Sequence, residues 1–327
     1  MTDEREITCR LCGAVADCLG TLRPYLDYST PVYACKGCGA RLAIHDPSVH
    51  ERLHSNARSS YAWHKDLASA AGAYFARGDR AGLKRLLDTA PKNRLVMAEL
   101  DKLPVGSRAM EVGCSRGYLT AYAVLCGHRV LGVDVSVAAL VDAKRLFGER
   151  FALVNDPLIA QGTPYDFIYH VGTIGCVDDP VGLIRSQLDL LRSGGLLVCN
   201  APDVAAAVER GRLWSVGTTP PDLVTLFNRH WFSRAFSALA QIELSIAPED
   251  PGVSLRRVLG RDGVAAENAP RFRLFEDAPE STTYSSASPP ISALRGAARS
   301  LVRVLHTLRV IPHYAHEYGI LVRMTKR

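Results

Sequence analysis

The stretch AMEVGCSRGY, residues 109–118, decides the fold of this 327-residue chain, because an apolar run ends there in a glycine-rich turn. Further apolar runs alternate with helical patterns downstream of it, which is typical of a parallel α/β sheet. The predicted strands are 109–112, 129–133, 151–154, 167–171, 196–200, one through Ile242, Leu244 and Ile246, and one over 319–324. The sequence therefore predicts an α/β fold built on seven strands.

The same stretch predicts a ligand site at the carboxyl ends of these strands. Glycine lets the backbone approach a ligand closely, at φ values that other residues avoid. Asp134 ends the next predicted strand, seventeen residues after Gly117, where a carboxylate suits hydrogen bonds to ribose hydroxyls. The Gly-x-Gly-x-x-Gly pattern of dinucleotide sites is absent, and a carboxylate at Glu111 would repel a pyrophosphate. We therefore expect an adenosine-containing ligand that carries positive charge.

A second pattern lies near the N-terminus, where two Cys-x2-Cys pairs are separated by 22 residues: Cys9, Cys12, Cys35 and Cys38. Each pair predicts a tight turn, and two such turns aim four thiolates at one ion. Four thiolates leave no open position for a substrate, so we expect a structural Zn2+ site. The other five cysteines are scattered along the chain.

The chain is expected to have three parts: a zinc ribbon at 1–46, a helical linker or cap at 47–104, and a Rossmann-like domain at 105–327 with an insertion at about 261–315. Asp79 predicts the N-cap of the second cap helix, and Pro91 predicts the first turn of the third. A helix with a basic stripe is predicted over about 291–309, and the sequence assigns it no role.

With these motifs the chain resembles the class I S-adenosylmethionine-dependent methyltransferases over about 105–245. Residues 111–117 look like the first motif of that family, 132–136 like its second, 165–170 like its fourth, and 190–198 like its turn before the fifth strand. The resemblance implies a Rossmann-like, seven-stranded methyltransferase sheet that binds S-adenosyl-L-methionine. It implies these cofactor-binding residues: Glu111, Gly113, Cys114, Gly117, Tyr118, Asp134, Val135, Asn155, Asp156 and His170.

Two departures from the family pattern bear on catalysis. Ser115 replaces the usual middle glycine, which the fold tolerates if this residue keeps a negative φ. Gly175 and Cys176 stand where many small-molecule relatives have Glu-His, so the familiar active-site histidine is absent from that place. His170 and His230 are the remaining candidates for the base that deprotonates the acceptor.

For His170, an equal alternative is a histidine that supports the cofactor loop. Substrate contacts are predicted in the segment after the fifth strand: Trp214, Asp222, Asn228 and Trp231. Aromatic residues at that spacing are also typical of a core, so both interpretations of the two tryptophans stay open.

Composition and charge exclude several functional classes. Hydrophobic residues are 47% and charged residues 22% of the chain, and no apolar run is long enough for a transmembrane helix. The charged start lacks the apolar region of a secretory signal, so we expect a cytoplasmic protein. The formal net charge of +6 is concentrated in residues 291–327, while residues 1–46 carry five basic and six acidic side chains. Such a ribbon is a poor match to phosphate, and we expect no nucleic-acid partner.

The leading hypothesis is a small-molecule methyltransferase, similar to bacterial enzymes that act on nucleotide-linked sugars or natural products. Oxygen is ranked ahead of carbon and nitrogen as the methylated atom. One alternative is an rRNA or tRNA base methyltransferase whose ribbon holds RNA, and another is a module that binds the cofactor without turnover. The sequence determines neither the acceptor nor the oligomeric state.

Overall fold

The computed structural model describes residues 5–44, 48–49, 52, 62–88, 90–214, 219–248, 274 and 315–327. The predicted helix over 291–309 lies outside the described residues, as does nearly all of the predicted insertion. Within the described residues the strands form a five-stranded sheet and a seven-stranded sheet.

The strands in chain order are β1 (Glu6–Thr8), β2 (Val15–Tyr25), β3 (Tyr28–Cys35), β4 (Arg41–Ala43), β5 (Arg108–Val112), β6 (Arg129–Asp134), β7 (Phe151–Leu153), β8 (Tyr165–His170), β9 (Leu191–Ala201), β10 (Thr225–Leu226), β11 (Ala240–Pro248) and β12 (Ala315–Lys326). The seven-stranded sheet has the order β11-β12-β9-β8-β5-β6-β7. Strands β5 to β9 pair in parallel, and β12 runs antiparallel to both of its neighbours. The predicted α/β fold and its seven strands are confirmed.

The helices in chain order are α1 (Ala62–Ala76), α2 (Arg80–Leu87), α3 (Pro91–Leu100), α4 (Tyr118–Leu125), α5 (Val137–Phe147), α6 (Leu158–Gln161), α7 (Pro180–Leu190), α8 (Val204–Val208) and α9 (His230–Phe236). Asp79 caps α2, since its carboxylate accepts the backbone N–H of Gly82 at 2.7 Å. Pro91 is the first residue of α3, where a missing N–H costs no hydrogen bond. Both predicted helix starts are confirmed. No helix in the described part of the chain combines the length and hydrophobicity that crossing a membrane would need.

The two faces of the large sheet pack against different partners. Phe167 and Tyr169 of β8 belong to a core shared with α1 to α5, whereas Ile168 belongs to a core shared with the ribbon and α9. Side chains alternate between faces along a strand. By that alternation His170 follows Ile168 on the ribbon face, and Asn200 of β9 lies on the cap face. The ends of the central strands are therefore covered by the helical cap on one side and the ribbon on the other.

The ribbon joins the large domain through a shared sheet. Strand β10 pairs antiparallel with β4, with Thr225 opposite Leu42 and Leu226 opposite Arg41. The sheet that β1 to β4 begin is thus completed by two residues that follow the central strands of the large sheet. The predicted domain limits at 46 and 104 stay predictions.

Candidate functional site

The turn between β5 and α4 is fixed by packing as well as by backbone conformation. Gly113 and Gly117 have φ values of +71° and +77°. A Cβ on Gly113 would lie 2.3 Å from the Thr173 hydroxyl oxygen, and one on Gly117 would lie 2.5 Å from the Phe151 ring. Both positions therefore need glycine for the protein's own packing, a reason that the sequence alone does not reveal.

Ser115, between these glycines, does not have the negative φ under which serine is easily tolerated. Its φ is +48°, in the left-handed region that favours glycine. In this conformation its backbone N–H donates to Asp134 Oδ2 at 2.7 Å. The condition of a negative φ is therefore not met, and the left-handed conformation is accompanied by this hydrogen bond to the carboxylate.

Asp134 ends β6 with its carboxylate held in one orientation. Besides the bond from Ser115, its Oδ1 accepts the backbone N–H of Ser136 at 2.8 Å. Burial raises the pKa of Asp134, while the hydrogen bonds from backbone amides lower it. Each carboxylate oxygen has a further lone pair, which suits a pair of ribose hydroxyls.

An exposed apolar surface lies next to Asp134. Val135 is 55% exposed, and Val154, whose N–H donates to the Asp134 carbonyl, is 45% exposed. Asn155 and Asp156 follow, and the Asp156 carboxylate accepts the N–H of Leu158 at 2.9 Å. This surface has the chemistry to hold a flat base beside the Asp134 carboxylate. The structure brings these predicted cofactor residues together at the ends of β6 and β7.

Glu111 lies on the cap face of β5 and is 4% exposed. Thr120 Oγ1 donates to its Oε2 at 2.5 Å, and the Tyr169 hydroxyl donates to the same oxygen at 3.4 Å. Burial raises the pKa of Glu111 to about 8, so the carboxyl group is mostly protonated at pH 7. The contact of Glu111 with the ligand stays a prediction. Because the carboxyl group is mostly uncharged at pH 7, it repels a pyrophosphate less than the sequence alone suggests.

Two buried polar side chains end β8 and β9. His170 is fully buried, and neither ring nitrogen has a hydrogen-bond partner among the described residues. Asn200 is 2% exposed; its Oδ1 accepts the N–H of Gly172 at 2.8 Å, and its Nδ2 has no partner in the same part of the chain. Buried polar atoms normally form hydrogen bonds, so both groups are candidates for contact with a bound molecule. Burial lowers the pKa of His170 to about 3, which keeps the imidazole neutral.

The helical cap adds basic residues that sequence reasoning missed. Lys92, the second residue of α3, places Nζ 3.7 Å from where a Cβ on Gly172 would lie. His64 of α1 lies with Nδ1 3.2 Å from the Tyr118 hydroxyl. Burial, and then the charges of Lys92 and Arg116, lower the pKa of His64 to about 3. A cation in the first turn of a helix is opposed by the helix dipole, and this could have singled out Lys92.

Lys92 faces the loop that follows β8. Cys176 in this loop is partly buried, and its Sγ donates to the Gly172 carbonyl at 3.3 Å. Burial raises the pKa of Cys176 to about 12; the charge of Asp222 adds to this increase and that of Lys92 opposes it. Asp222, predicted to contact substrate, therefore lies close enough to Cys176, in the loop after β8, for its charge to act on this thiol.

The remaining predicted substrate residues lie elsewhere. His230 is exposed at the start of α9, and its backbone N–H donates to Asn228 Oδ1 at 3.0 Å. Trp231 is buried, with its indole N–H donating to the Leu11 carbonyl of the ribbon at 3.1 Å. Trp214 is buried in a separate apolar cluster. The described residues do not gather these side chains around one pocket, and their substrate roles stay predictions, as does catalysis by His230.

The four cysteines of the ribbon form one cluster. Their sulfur atoms all lie within 4.8 Å of one another, with Cys9 Sγ 3.8 Å from Cys38 Sγ and Cys12 Sγ 3.4 Å from Cys35 Sγ. A tetrahedron of zinc–sulfur bonds of about 2.3 Å requires sulfur atoms about 3.8 Å apart. All four cysteines are free of disulfides. The cluster therefore fits a closed, structural zinc site.

Backbone amides also point at these sulfurs. The N–H of Leu11 donates to Cys9 Sγ at 3.4 Å, and the N–H of Gly37 donates to Cys35 Sγ at 3.3 Å. Hydrogen bonds of this kind stabilise thiolates, which are the form that binds metal.

Comparison with known proteins bears on the large domain. Residues 80–239 match the family model described as a methyltransferase domain. A ubiquinone biosynthesis O-methyltransferase of Dinoroseobacter shibae is 29% identical over 102 residues, which are 29% of this chain and 41% of that protein. The enzyme of the same name from Cereibacter sphaeroides is 30% identical over 118 residues, or 32% and 47% of the two chains.

The chain thus spans less than half the length of the curated relatives that it matches. Among solved structures, an S-adenosylmethionine-dependent methyltransferase from Mesorhizobium loti is 17% identical, with a TM-score of 0.43 over 73% of this chain and all of that one.

Proposed function

We propose that the protein transfers the methyl group of S-adenosylmethionine to a hydroxyl oxygen of a small molecule, because residues 80–239 match the family model described as a methyltransferase domain. The family match carries the reaction class. Oxygen is favoured because the matched relatives are named O-methyltransferases, at about 29% identity. Natural-product or nucleotide-sugar metabolism is the proposed setting, in the cytoplasm.

The cofactor half of the site lies over β5 and β6. S-adenosylmethionine, when bound, supplies a methyl group on a positively charged sulfur. Asp134 would bind the ribose hydroxyls, and Val135 with Val154 would cover the base. Lys92 and the cap would face the carboxylate of the methionine part, since Lys92 reaches Gly172 at the end of β8. These assignments use groups that the fold already orients, which lowers the cost of binding.

The acceptor half lies over β8 and β9. We propose that the hydroxyl group of the acceptor donates a hydrogen bond to His170 and gives up its proton there as the methyl group is transferred. A neutral imidazole can accept this hydrogen, although a pKa of about 3 makes it a poor base. Positioning and exclusion of water would then supply most of the acceleration.

The first experiment measures cofactor binding and methyl transfer together. The purified chain is titrated with S-adenosylmethionine by calorimetry, then incubated with methyl-labelled cofactor and either a metabolite extract or total RNA. We expect binding, followed by label in the metabolite fraction as an alkali-stable methyl ether. Label confined to RNA would replace this proposal with an RNA methyltransferase. Binding without any transfer would favour a module that holds the cofactor.

A further inference from the structure

Arg10 lies inside the first cysteine pair and connects the metal cluster to the large domain. Its Nη2 donates to the Ala43 carbonyl at 2.7 Å and to the Val224 carbonyl at 2.8 Å. Its Nη1 lies 3.4 Å from Asp178 Oδ1. A single guanidinium group thus contacts the end of β4, the segment before β10 and the loop after β8.

The two loops that Arg10 contacts also bond to each other. The backbone N–H groups of Val224 and Thr225 both donate to the Gly175 carbonyl, at 2.8 and 3.1 Å. The N–H of Ala43 donates to the Val224 carbonyl at 3.0 Å, so this carbonyl accepts bonds from two ribbon residues. Ribbon, β8 loop and β10 segment therefore form one hydrogen-bonded unit.

These loops carry the side chains of Cys176 and Asp222. Cys176 follows Gly175 directly, and Asp222 lies two residues before Val224. Arg10 and Asp178 also line a cavity of about 270 Å³ at this junction. A shift of the Val224 carbonyl would thus move Cys176 and Asp222.

We propose that Arg10 is a positioning residue for the acceptor side: it couples the four-cysteine cluster to the loops that hold Cys176 and Asp222. The description of these loops as the acceptor side rests on the proposed function. The coupling itself rests on the hydrogen bonds of Arg10 alone. Loss of the ion from the cluster, or loss of the guanidinium group, should then loosen the acceptor side and leave the cofactor side intact.

The test is the alkylation rate of individual cysteines by iodoacetamide, read by peptide mass spectrometry in the full-length chain. In Arg10→Ala we expect Cys176 to react about tenfold faster, because local opening exposes it. Cys114, buried in the turn after β5, and Cys199, buried in β9, should keep their rates. The matched control is Arg23→Ala, since Arg23 donates to the Leu26 carbonyl at 2.7 Å within the same ribbon but contacts neither loop.

A conservative variant separates positioning from general destabilisation. Lysine at position 10 can still donate to one or both carbonyls, so Arg10→Lys should restore part of the protection of Cys176. Wild-type protein stripped of metal by a chelator should show the same selective increase as Arg10→Ala.

Two results would overturn the coupling. One is an unchanged Cys176 rate in Arg10→Ala, and the other is an equal increase at Cys114 and Cys199, which would indicate global unfolding. If Arg10→Ala does not fold, the coupling is tested with Arg10→Lys and Asp178→Ala. For each of these variants we expect a smaller selective increase in the alkylation rate of Cys176. The affinity for S-adenosylmethionine is measured on the same samples and should stay within about twofold. If the wild-type protein binds no S-adenosylmethionine but Arg10→Ala still shows the selective labelling of Cys176, the proposed function is wrong and the coupling is supported.

Discussion

At Asp134, one carboxylate both orders a turn and, in our proposal, binds the cofactor. Asp134→Ala removes the acceptor of the Ser115 and Ser136 amides together with the expected ribose contact. We expect the Kd for S-adenosylmethionine to rise about tenfold to a hundredfold, measured by calorimetry. Asp88→Ala serves as control, because Asp88 pairs with Arg94 on the cap surface. An unchanged Kd in Asp134→Ala would remove Asp134 from the cofactor site.

Glu111 makes a prediction about pH. Its pKa rises from 4.5 in a model peptide to about 8 in the folded chain. The folded state therefore holds this proton more tightly than the unfolded state, so its stabilising contribution is complete below about pH 4.5 and is lost between about pH 4.5 and 8. Glu111→Gln should flatten this loss and be more stable than the wild type at pH 8 by roughly 1–3 kcal/mol. Urea unfolding at pH 6 and pH 8 measures it, and parallel pH profiles for the two proteins would contradict it.

Single residues also show where sequence reasoning stops. The position of Asp134 at the end of β6 was predictable, because the apolar run before it predicts the strand and its end. The φ of Ser115 and the raised pKa of Glu111 were not predictable, since they depend on surroundings that only the folded chain supplies. Ser115 depends on the Asp134 carboxylate, and the pKa of Glu111 is raised by burial against the opposing hydrogen bonds from Thr120 and Tyr169.

At the scale of the elements, the turn between β5 and α4 is sensitive to substitution. Gly117→Ala adds a Cβ 2.5 Å from the Phe151 ring and forces alanine to a φ of +77°. We expect a loss of about 2–4 kcal/mol in the free energy of unfolding, from overpacking and strain combined. Gly78→Ala is the matched control, because its φ is +67° but a Cβ there meets nothing within 4 Å.

The control should lose only about 1–2 kcal/mol, the cost of strain alone. Equal losses in the two variants, measured by urea unfolding, would show that Phe151 moves aside at little cost.

Elements were predictable where a local pattern sets them. The central strands follow from apolar runs, and α2 and α3 follow from a capping aspartate and a first-turn proline. Strand β10 was not predictable, because two residues, Thr225 and Leu226, carry no periodicity. The place of Lys92 beside the β8 loop was not predicted for a related reason, because its neighbour Gly172 is distant in sequence.

For the whole molecule, the metal cluster is expected to hold the ribbon together. Removing the ion with a chelator removes the bonds that join the two cysteine turns, so the ribbon should open while the large sheet persists. The indole of Trp231, which contacts Leu11, should then become exposed and shift the tryptophan emission to longer wavelength. A zinc assay should count one ion released per chain. Emission that is unchanged after zinc release would show that the ribbon stays folded without metal.

The ribbon itself was predictable from its cysteines, but its seat on the large domain was not. Cysteine spacing specifies an ion and two turns, whereas the seat depends on the Arg10, Leu11 and β4 contacts. Such contacts join residues that are distant in sequence, and no local pattern records them.

The shared sheet has a consequence for synthesis of the chain on the ribosome. The β3 partner of β4 precedes it directly, but its other partner, β10, emerges about 180 residues later. Until then the nascent ribbon carries an open edge strand, which is a template for pairing with other chains. Translation that stalls after β4 and before β10 would release a fragment that contains all four clustered cysteines and an unpaired edge on β4.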